Sequence, residues 1–347
     1  MAPPAKKTPL IAVSMGDPAG IGAEVILKAA SAFASRRNAP MLAVIGDLEA
    51  MRAAAKRLGS RVPQPHELSP GAPMKRRDGE ITVISVGHLP PRAAEPGRPS
   101  IAGADAAYRY VVEGARMALA GDASALVTAP LNKAWLNRAG HHFPGHSELL
   151  AELSGTRLWR MMFAGDKLRL ALVTVHMGLA KVSAALTRDG VYQTIRLLTE
   201  HLRGRLGIAA PRIAVLGFNP HAGENGLFGD EETRVITPAI KRSRRAGIDA
   251  FGPLAPDTAF IRPKGEFVFD AAVAMYHDQG LIPLKTLEFD RAVNVTLGLP
   301  FVRTSPDHGT AYDIAGTGTA DASSMIAAIK YAARVVRGRG EQARRAA

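Results

Sequence analysis

The sequence predicts an α/β protein built on a largely parallel sheet. Short apolar runs without polar alternation recur along it: LIAVSM (10–15), MLAVIG (41–46), ITVISVG (81–87), ALVTAP (125–130), LRLALVTVH (168–176), RIAVLGFNP (212–220) and AAVAMYH (271–277). Gly, Pro or Asp bounds most of them, the pattern of strands buried on both faces. Between them lie Ala- and Leu-rich stretches with helical spacing, GAEVILKAASAFASRR (22–37), DAAYRYVVEGARMALAG (105–121) and DGVYQTIRLLTEHLRGRLG (189–207). Strands alternating with amphipathic helices of this length give a sheet covered by helices. Residues 321–336 read as a further packing helix before a loose basic tail, and 89–100 as an extended surface loop.

A chain of 347 residues suffices for about two compact units. With 47% hydrophobic and 22% charged residues it has the composition of a globular protein, not a disordered one. The absence of Cys excludes disulfides, thiolate zinc sites and cysteine nucleophiles, and fits a reducing cytosol. No apolar stretch approaches the ~18 residues of a membrane span, and MAPPAKKTPL leads into too short an apolar run for a signal peptide. A cytoplasmic protein is expected. The net charge of +13 raises nucleic acid as a partner. The charge sits in Lys6 and Lys7, in Arg337, Arg339, Arg344 and Arg345, and in a cluster of Lys241, Arg242, Arg244 and Arg245 before Gly247. Basic ends and a solvated helix face account for this pattern, and no nucleic-acid-reading motif accompanies it. No nucleic-acid partner is therefore expected.

In open α/β sheets ligands bind beyond the carboxyl ends of the strands. Three runs end in histidine there: VTVH176, FNPH221 and MYH277. Together His176, His221 and His277 can supply three imidazoles to one divalent ion, with a position left open for substrate. Asp278, beside His277, and Asp257 in GPLAPDTAF are candidates to orient those rings. Three unrelated loop histidines are the alternative. The turn MGDPAGIGAE (15–24) does not fit the dinucleotide-binding glycine fingerprint, because Asp17 and Pro18 occupy the turn. TAPLNK133 and FPGHSE148 are richer in polar groups than a connection requires. There His146 and Ser147 can open a helix toward an anion, and Ser147 as an ordinary N-cap is the alternative. Lys285, Asn294 and Arg303 follow at nine-residue intervals. Two cations and an amide meeting in one pocket would hold a phosphate or carboxylate; separate surface residues are the other reading. The crowded run 294–316 reads as a functional loop.

MGDPAGIG, TAPLNK, GHSE, NPHAGENG, AMYHDQG, VNVTLGLPFVRTSPDHGTA and AGTGTAD, in this order between about residues 10 and 330, closely resemble motifs of the 4-hydroxythreonine-4-phosphate dehydrogenase family of vitamin B6 biosynthesis. The resemblance implies an isocitrate/isopropylmalate dehydrogenase-like two-subdomain fold with a largely parallel central sheet, not a Rossmann fold. The expected division is 8–136 plus 285–335 for one discontinuous subdomain and 137–284 for a second, which carries the metal ligands and the dimer interface. Basic tails at 1–7 and 337–347 flank them. The resemblance further implies a homodimer with its active site in a cleft at the interface. His176, His221 and His277 from both subunits would bind a divalent metal, zinc first, with magnesium or cobalt as alternatives. It implies substrate contacts from His146 and Ser147 and an anion clamp of Lys285, Asn294 and Arg303. Asp257 and Asp278 match acidic positions near the metal and are the candidate catalytic acids. NAD, or NADP, would bind near the 294–316 loop.

The implied reaction is oxidation, with decarboxylation, of 4-hydroxythreonine 4-phosphate in pyridoxal phosphate biosynthesis. Relatives on the same scaffold act on erythronate or threonate 4-phosphate, or on the cis-dihydrodiol of terephthalate. Two departures bear on that choice. Ser147 stands where the biosynthetic members carry Thr, and Met177-Gly178-Leu179 follows His176 where they continue with Pro-Leu-like residues. A non-catalytic basic protein binding nucleic acid on the same fold is the remote alternative, and retention of the three histidines and the Lys–Asn–Arg set argues against it.

Overall fold

The computed structural model describes residues 8–34, 39–69, 72–90 and 92–345, with side chains of the last helix as far as 338. Lys6, Lys7 and the rest of the expected N-terminal tail lie outside the described residues. The chain divides into two compact units, 1–157 with 299–337, and 158–298 with 338–347. His146, Ser147 and Arg303 therefore belong to the first unit, and Lys285 and Asn294 to the second.

In chain order the first unit contains β1 (Leu10–Ser14), α1 (Gly22–Ala34), β2 (Met41–Gly46), α2 (Leu48–Leu58), β3 (Gln64–Glu67), β4 (Glu80–Ser85), α3 (Ile101–Ala120), β5 (Ala125–Thr128), α4 (Lys133–Arg138) and α5 (His146–Leu153). The second contains β6 (Arg160–Ala164), β7 (Arg169–Leu172), α6 (Val182–Ala185), α7 (Arg188–Leu206), β8 (Ile213–Leu216), α8 (Thr237–Arg245), β9 (Ala250–Leu254), β10 (Ala271–Ala274), α9 (His277–Glu288) and β11 (Val293–Leu297). The chain then supplies β12 (Val302–Pro306) and α10 (Ser323–Arg345).

The strands of the first unit lie in the order β3-β4-β2-β1-β5-β12, every pair parallel. Ile11, Val13, Val44, Ile45, Leu126 and Val127 are fully buried, which is why these strands read as unbroken apolar runs rather than alternating ones. Asp47 and Ser100 cap α2 and α3 by accepting the N–H of the third residue on, Ala50 and Gly103. The second unit has the order β11-β6-β7-β10-β8-β9. Only β6 runs against its neighbours, β11 and β7; β7-β10-β8-β9 are parallel. Phe163, Leu170, Leu172, Leu216 and Ala274 from its strands meet Leu281 and Leu284 of α9 in one core cluster.

The observed sheet is α/β and mostly parallel, as expected from the sequence. The end of the chain differs from its expectation. α10 runs on through Arg345 instead of giving way to a loose tail at 337. Gly338 lies so close to the end of α7 that a Cβ there would come within 2.6 Å of the Arg205 carbonyl oxygen, so a residue that disfavours helix is kept helical by packing.

Loops at the carboxyl ends of the first unit's strands are tied together from within. Glu24 of α1 accepts from the Ala320 N–H and from Lys28, whose ammonium also donates to the Gly318 and Ala320 carbonyls. Gly22 opens α1 directly beneath β1, and a Cβ on it would meet the Met15 carbonyl oxygen at 2.0 Å. Gly204, inside α7, faces nothing within 4 Å. Gly22→Ala is expected to cost about 2 kcal/mol or more, since backbone must move. Gly204→Ala is expected to be neutral or to stabilise by up to about 1 kcal/mol. Urea unfolding of the two variants against the parent checks both signs.

Candidate active site

Arg303 is the second residue of β12 and is 2% exposed. Its Nη2 donates to the Thr128 hydroxyl at the end of β5, 2.8 Å away. Burial pulls the guanidinium pKa down to about 10, and the Glu148 carboxylate works against that fall. Glu148 lies in the first turn of α5. The same helix begins with His146 and the buried Ser147. The Nε2 of His146 is buried and has no hydrogen-bond partner among the described residues. Burial, and next the charges of Arg303 and Lys133, hold its pKa well below the ordinary 6.5. The ring is therefore neutral at physiological pH and keeps one nitrogen available to a ligand.

The connection before α5 is fastened to α3. His141 Nε2 lies 2.9 Å from Asp105 Oδ1, and its ring stacks on Tyr108 at 3.7 Å. On the other side, buried Asp17 accepts from the Tyr312 phenol at 2.6 Å and from the Ala19 N–H at 2.9 Å. Burial raises the pKa of Asp17 despite these bonds, and burial together with Asp17 raises that of Tyr312. Asp17 and Tyr312 thus hold the 15–21 turn against the loop after β12, and the Ile21 N–H adds a bond to the Thr310 carbonyl.

In the second unit the ladder between β7 and β10 continues past both strands. Val173 donates to the Ala274 carbonyl, and the N–H and hydroxyl of Thr174 donate to that of Met275. This continuation delivers His176 and His277 side by side, with 5.7 Å between ring centroids. Gln279 joins a third strand end, accepting from the Met275 N–H and donating to the Gly217 carbonyl, each at 2.7 Å. His277 Nδ1 lies 2.7 Å from Asp278 Oδ1, a contact that favours the proton on Nδ1 and leaves Nε2 as the electron-pair donor. His221 stands in a rarer setting. Residues 221–225 all have φ between +40° and +83°, a full left-handed turn, which non-glycine residues adopt at a cost of about 1–2 kcal/mol each. Buried Glu232 holds that turn by accepting the N–H groups of Phe218 and Asn219 and the Asn219 amide. Glu231 accepts from the Asn219 amide and from Ser183, and the Ser183 hydroxyl lowers its pKa.

His176 and His277 are therefore brought together, while the ring of His221 lies 6.3 Å from that of Phe228. Among the described residues no three His, Cys, Asp or Glu side chains gather in a group that could hold a metal. Asp257 is exposed in the turn after β9, with no hydrogen bond or ion pair to the imidazoles among the described residues. Lys285 lies along α9 with its ammonium 5.7 Å from the Phe289 ring. Asn294 pairs with Phe163 in β11, and its Oδ1 is buried without a hydrogen-bond partner among the described residues. Thr128, Lys133, Glu232 and Gln279 escaped the sequence reading. Lys133 and Gln279 stand inside motifs already singled out, TAPLNK and AMYHDQG. Glu232 carried no local signal, because its partners lie 13–14 residues back.

These features first define a class: an α/β protein whose first unit sets a buried guanidinium, an imidazole and a hydroxyl close together and whose second unit carries imidazoles at its strand ends, where such folds bind small ligands. The profile of the family described as pyridoxal phosphate biosynthetic protein PdxA matches residues 38–332. The 4-hydroxythreonine-4-phosphate dehydrogenase of Geobacter metallireducens is 48% identical over 96% of this chain and 97% of its own. The D-threonate 4-phosphate dehydrogenase of Salmonella typhimurium is 47% identical over 94% and 98%. A crystal structure of 4-hydroxythreonine-4-phosphate dehydrogenase from Klebsiella pneumoniae superposes with a TM-score of 0.85 at 41% identity, covering 96% of this chain and 99% of that one. The chain belongs to the PdxA family of dehydrogenases.

The neutral, half-buried imidazoles have a consequence for stability. His146 is held well below 6.5, and His201 of α7 is pushed by burial to about 3. Below the ordinary histidine range the unfolded chain takes up protons that these folded rings refuse, so acidification from pH 7 favours unfolding. The loss is at most about 1.4 kcal/mol per pH unit per ring, and it vanishes above the ordinary range. His146→Gln should show a shallower fall of unfolding free energy between pH 6.5 and 5 than the parent. An unchanged slope would mean that the folded ring accepts the proton.

Proposed function

We propose that the protein oxidises 4-hydroxythreonine 4-phosphate in pyridoxal phosphate biosynthesis, in the cytoplasm, with a nicotinamide dinucleotide as hydride acceptor and a divalent metal. The buried Arg303 guanidinium beside the unpartnered Nε2 of neutral His146 carries this reading. A buried cation is costly unless opposite charge answers it; Glu148 supplies some of that charge, and a phosphate or carboxylate of the substrate would add to it. Arg303 offers a planar fork to two anion oxygens. His146 contributes one further hydrogen bond without adding charge, and Ser147 lines the same helix start. Lys285 and Asn294, in the second unit, are the other anion-clamp residues that the resemblance implies, and Asn294 Oδ1 is buried there.

Imidazole is a donor that zinc takes, and His176 and His277, with 5.7 Å between their ring centroids, would supply two of the ligands. These two residues fit as ligands. His221, held in its left-handed turn, is the third candidate, in a set that the family resemblance divides between two subunits. A divalent ion held there would supply Lewis acidity toward the substrate hydroxyl. A bound nicotinamide would supply a hydride acceptor for oxidation of the carbinol carbon. The chain's own work is to hold the anion, to fix the His277 tautomer through Asp278, and to keep the His176 and His277 rings adjacent through the Thr174 and Gln279 bonds. A 3-keto acid so formed can lose its carboxylate as carbon dioxide.

A homodimer is supported by the surface. Eight of the ten large hydrophobic side chains most exposed among the described residues lie in the second unit, including Leu179, Leu227, Phe228, Ile261, Ile282 and Phe289. Concentration of such groups marks an interaction surface. Leu227 and Phe228 follow the His221 turn directly, and Leu179 follows His176 by three residues, so a partner there would approach the histidines.

Threonate 4-phosphate is the second reading, favoured by the Salmonella relative at 47% identity. The two substrates share phosphate, carboxylate and vicinal hydroxyl and differ at the amino group. NADH formation by metal-replete protein with each, and with terephthalate cis-dihydrodiol, separates them. Turnover of hydroxythreonine phosphate, abolished by chelation and restored by zinc, is expected. Turnover of threonate phosphate alone would move the protein to sugar-acid catabolism, and turnover of the dihydrodiol alone would show that the clamp reads a carboxylate.

A further inference from the structure

Lys133 is the first residue of α4, and the site's own hydrogen bonds set its place. Asn132 caps that helix by accepting the Trp135 N–H at 3.1 Å, and its side chain also bonds to Tyr312, whose phenol donates to Asp17. The lysine side chain then crosses the face of Gly145, the residue before His146. A Cβ on Gly145 would meet Lys133 Cε at 3.5 Å, Nζ at 3.9 Å and Glu148 Oε2 at 3.2 Å. Glycine leaves room for that crossing. Lys133 is exposed, and among the described residues its ammonium enters no ion pair, although Glu148 stands nearby. Its charge nevertheless reaches His146, whose pKa it helps lower together with Arg303.

We propose that Lys133 is a further substrate-binding residue, whose ammonium closes over the phosphate that Arg303 and His146 hold. The proposal rests on the anion reading of that pocket. A phosphoryl group presents three peripheral oxygens and close to two charges. One guanidinium and one neutral imidazole leave the second charge unanswered. A lysine on a flexible stem answers it as a point charge. Without ligand, repulsion from the buried guanidinium and the cost of desolvation keep the ammonium in water. Once the anion is bound both costs fall, and the side chain needs only rotamer changes to reach over Gly145.

The test uses the full-length protein and inorganic phosphate as probe. Titration calorimetry at fixed ionic strength compares the parent with Lys133→Met, Lys133→Arg and Arg303→Lys. Kinetics compare 4-hydroxythreonine 4-phosphate with unphosphorylated 4-hydroxythreonine. Loss of one charge-assisted contact predicts that Lys133→Met weakens phosphate binding by about 10-fold or more. KM for the phosphorylated substrate should rise by a similar factor, with kcat within about 3-fold. Lys133→Arg should recover most of the affinity, and KM for the unphosphorylated compound should not respond to Lys133→Met. Unchanged phosphate affinity in Lys133→Met overturns the proposal. A collapse of kcat at unchanged phosphate affinity also overturns it, and would make Lys133 a proton-transfer group instead. If Arg303→Lys weakens phosphate binding and Lys133→Met does not, this inference alone fails. If neither does, the pocket reading beneath it fails.

Discussion

Burying one guanidinium within a strand is the constraint on which the first unit is arranged. Arg303 occupies a position that its neighbours in β12 fill as core. A cation taken from water costs several kcal/mol unless its hydrogen bonds are met and a counter-charge is near. Thr128 meets one bond, Glu148 supplies opposite charge from the start of α5, and the pKa is still pulled to about 10. That cost also explains why His146 stays neutral: a second buried cation beside Arg303 would repeat it with nothing to offset it.

The second unit solves a different problem, holding imidazoles at strand ends where the backbone has stopped being regular. Bonds from Val173 and Thr174 extend the β7–β10 ladder by two residues, and Gln279 spans from β10 to β8. His221 needs more, because five successive left-handed residues hold only if something overdetermines them. Glu231 and Glu232 do this through Asn219 and two backbone N–H groups. The strain lies in the motif NPHAGENG, and the glutamates that restrain it lie several residues downstream.

Much of this was legible in the sequence, and what was not has physical causes. The seven apolar runs all became strands, because a strand buried on both faces writes itself as an unbroken apolar stretch. β12 did not read as one, since FVRTSP carries a buried arginine and ends in proline. β3 (QPHE) at the sheet edge and β9 (AFGPL), with its glycine and proline, lack the apolar run altogether. The strand-end histidines were visible by position, and two of them are adjacent in the fold. The left-handed turn that holds His221 had no signature beyond two glycines. Asp257 illustrates the limit of residue type as a guide, since it lies exposed in its turn while Asp278 contacts a ring. Lys133 was passed over because an exposed lysine at a helix start looks ordinary until Gly145 and His146 are folded beside it.

The central claim is that a neutral His146 and a buried Arg303 wait for the substrate's anionic group. Nitrogen-15 NMR of histidine-labelled protein, assigned with His146→Gln, tests it most directly. At pH 6 the His146 ring should show the shifts of a neutral imidazole, and its Nε2 resonance should move when inorganic phosphate is added, while Arg303→Lys blunts that response. A ring already protonated at pH 6, or a resonance indifferent to phosphate at concentrations that saturate binding, would contradict the account.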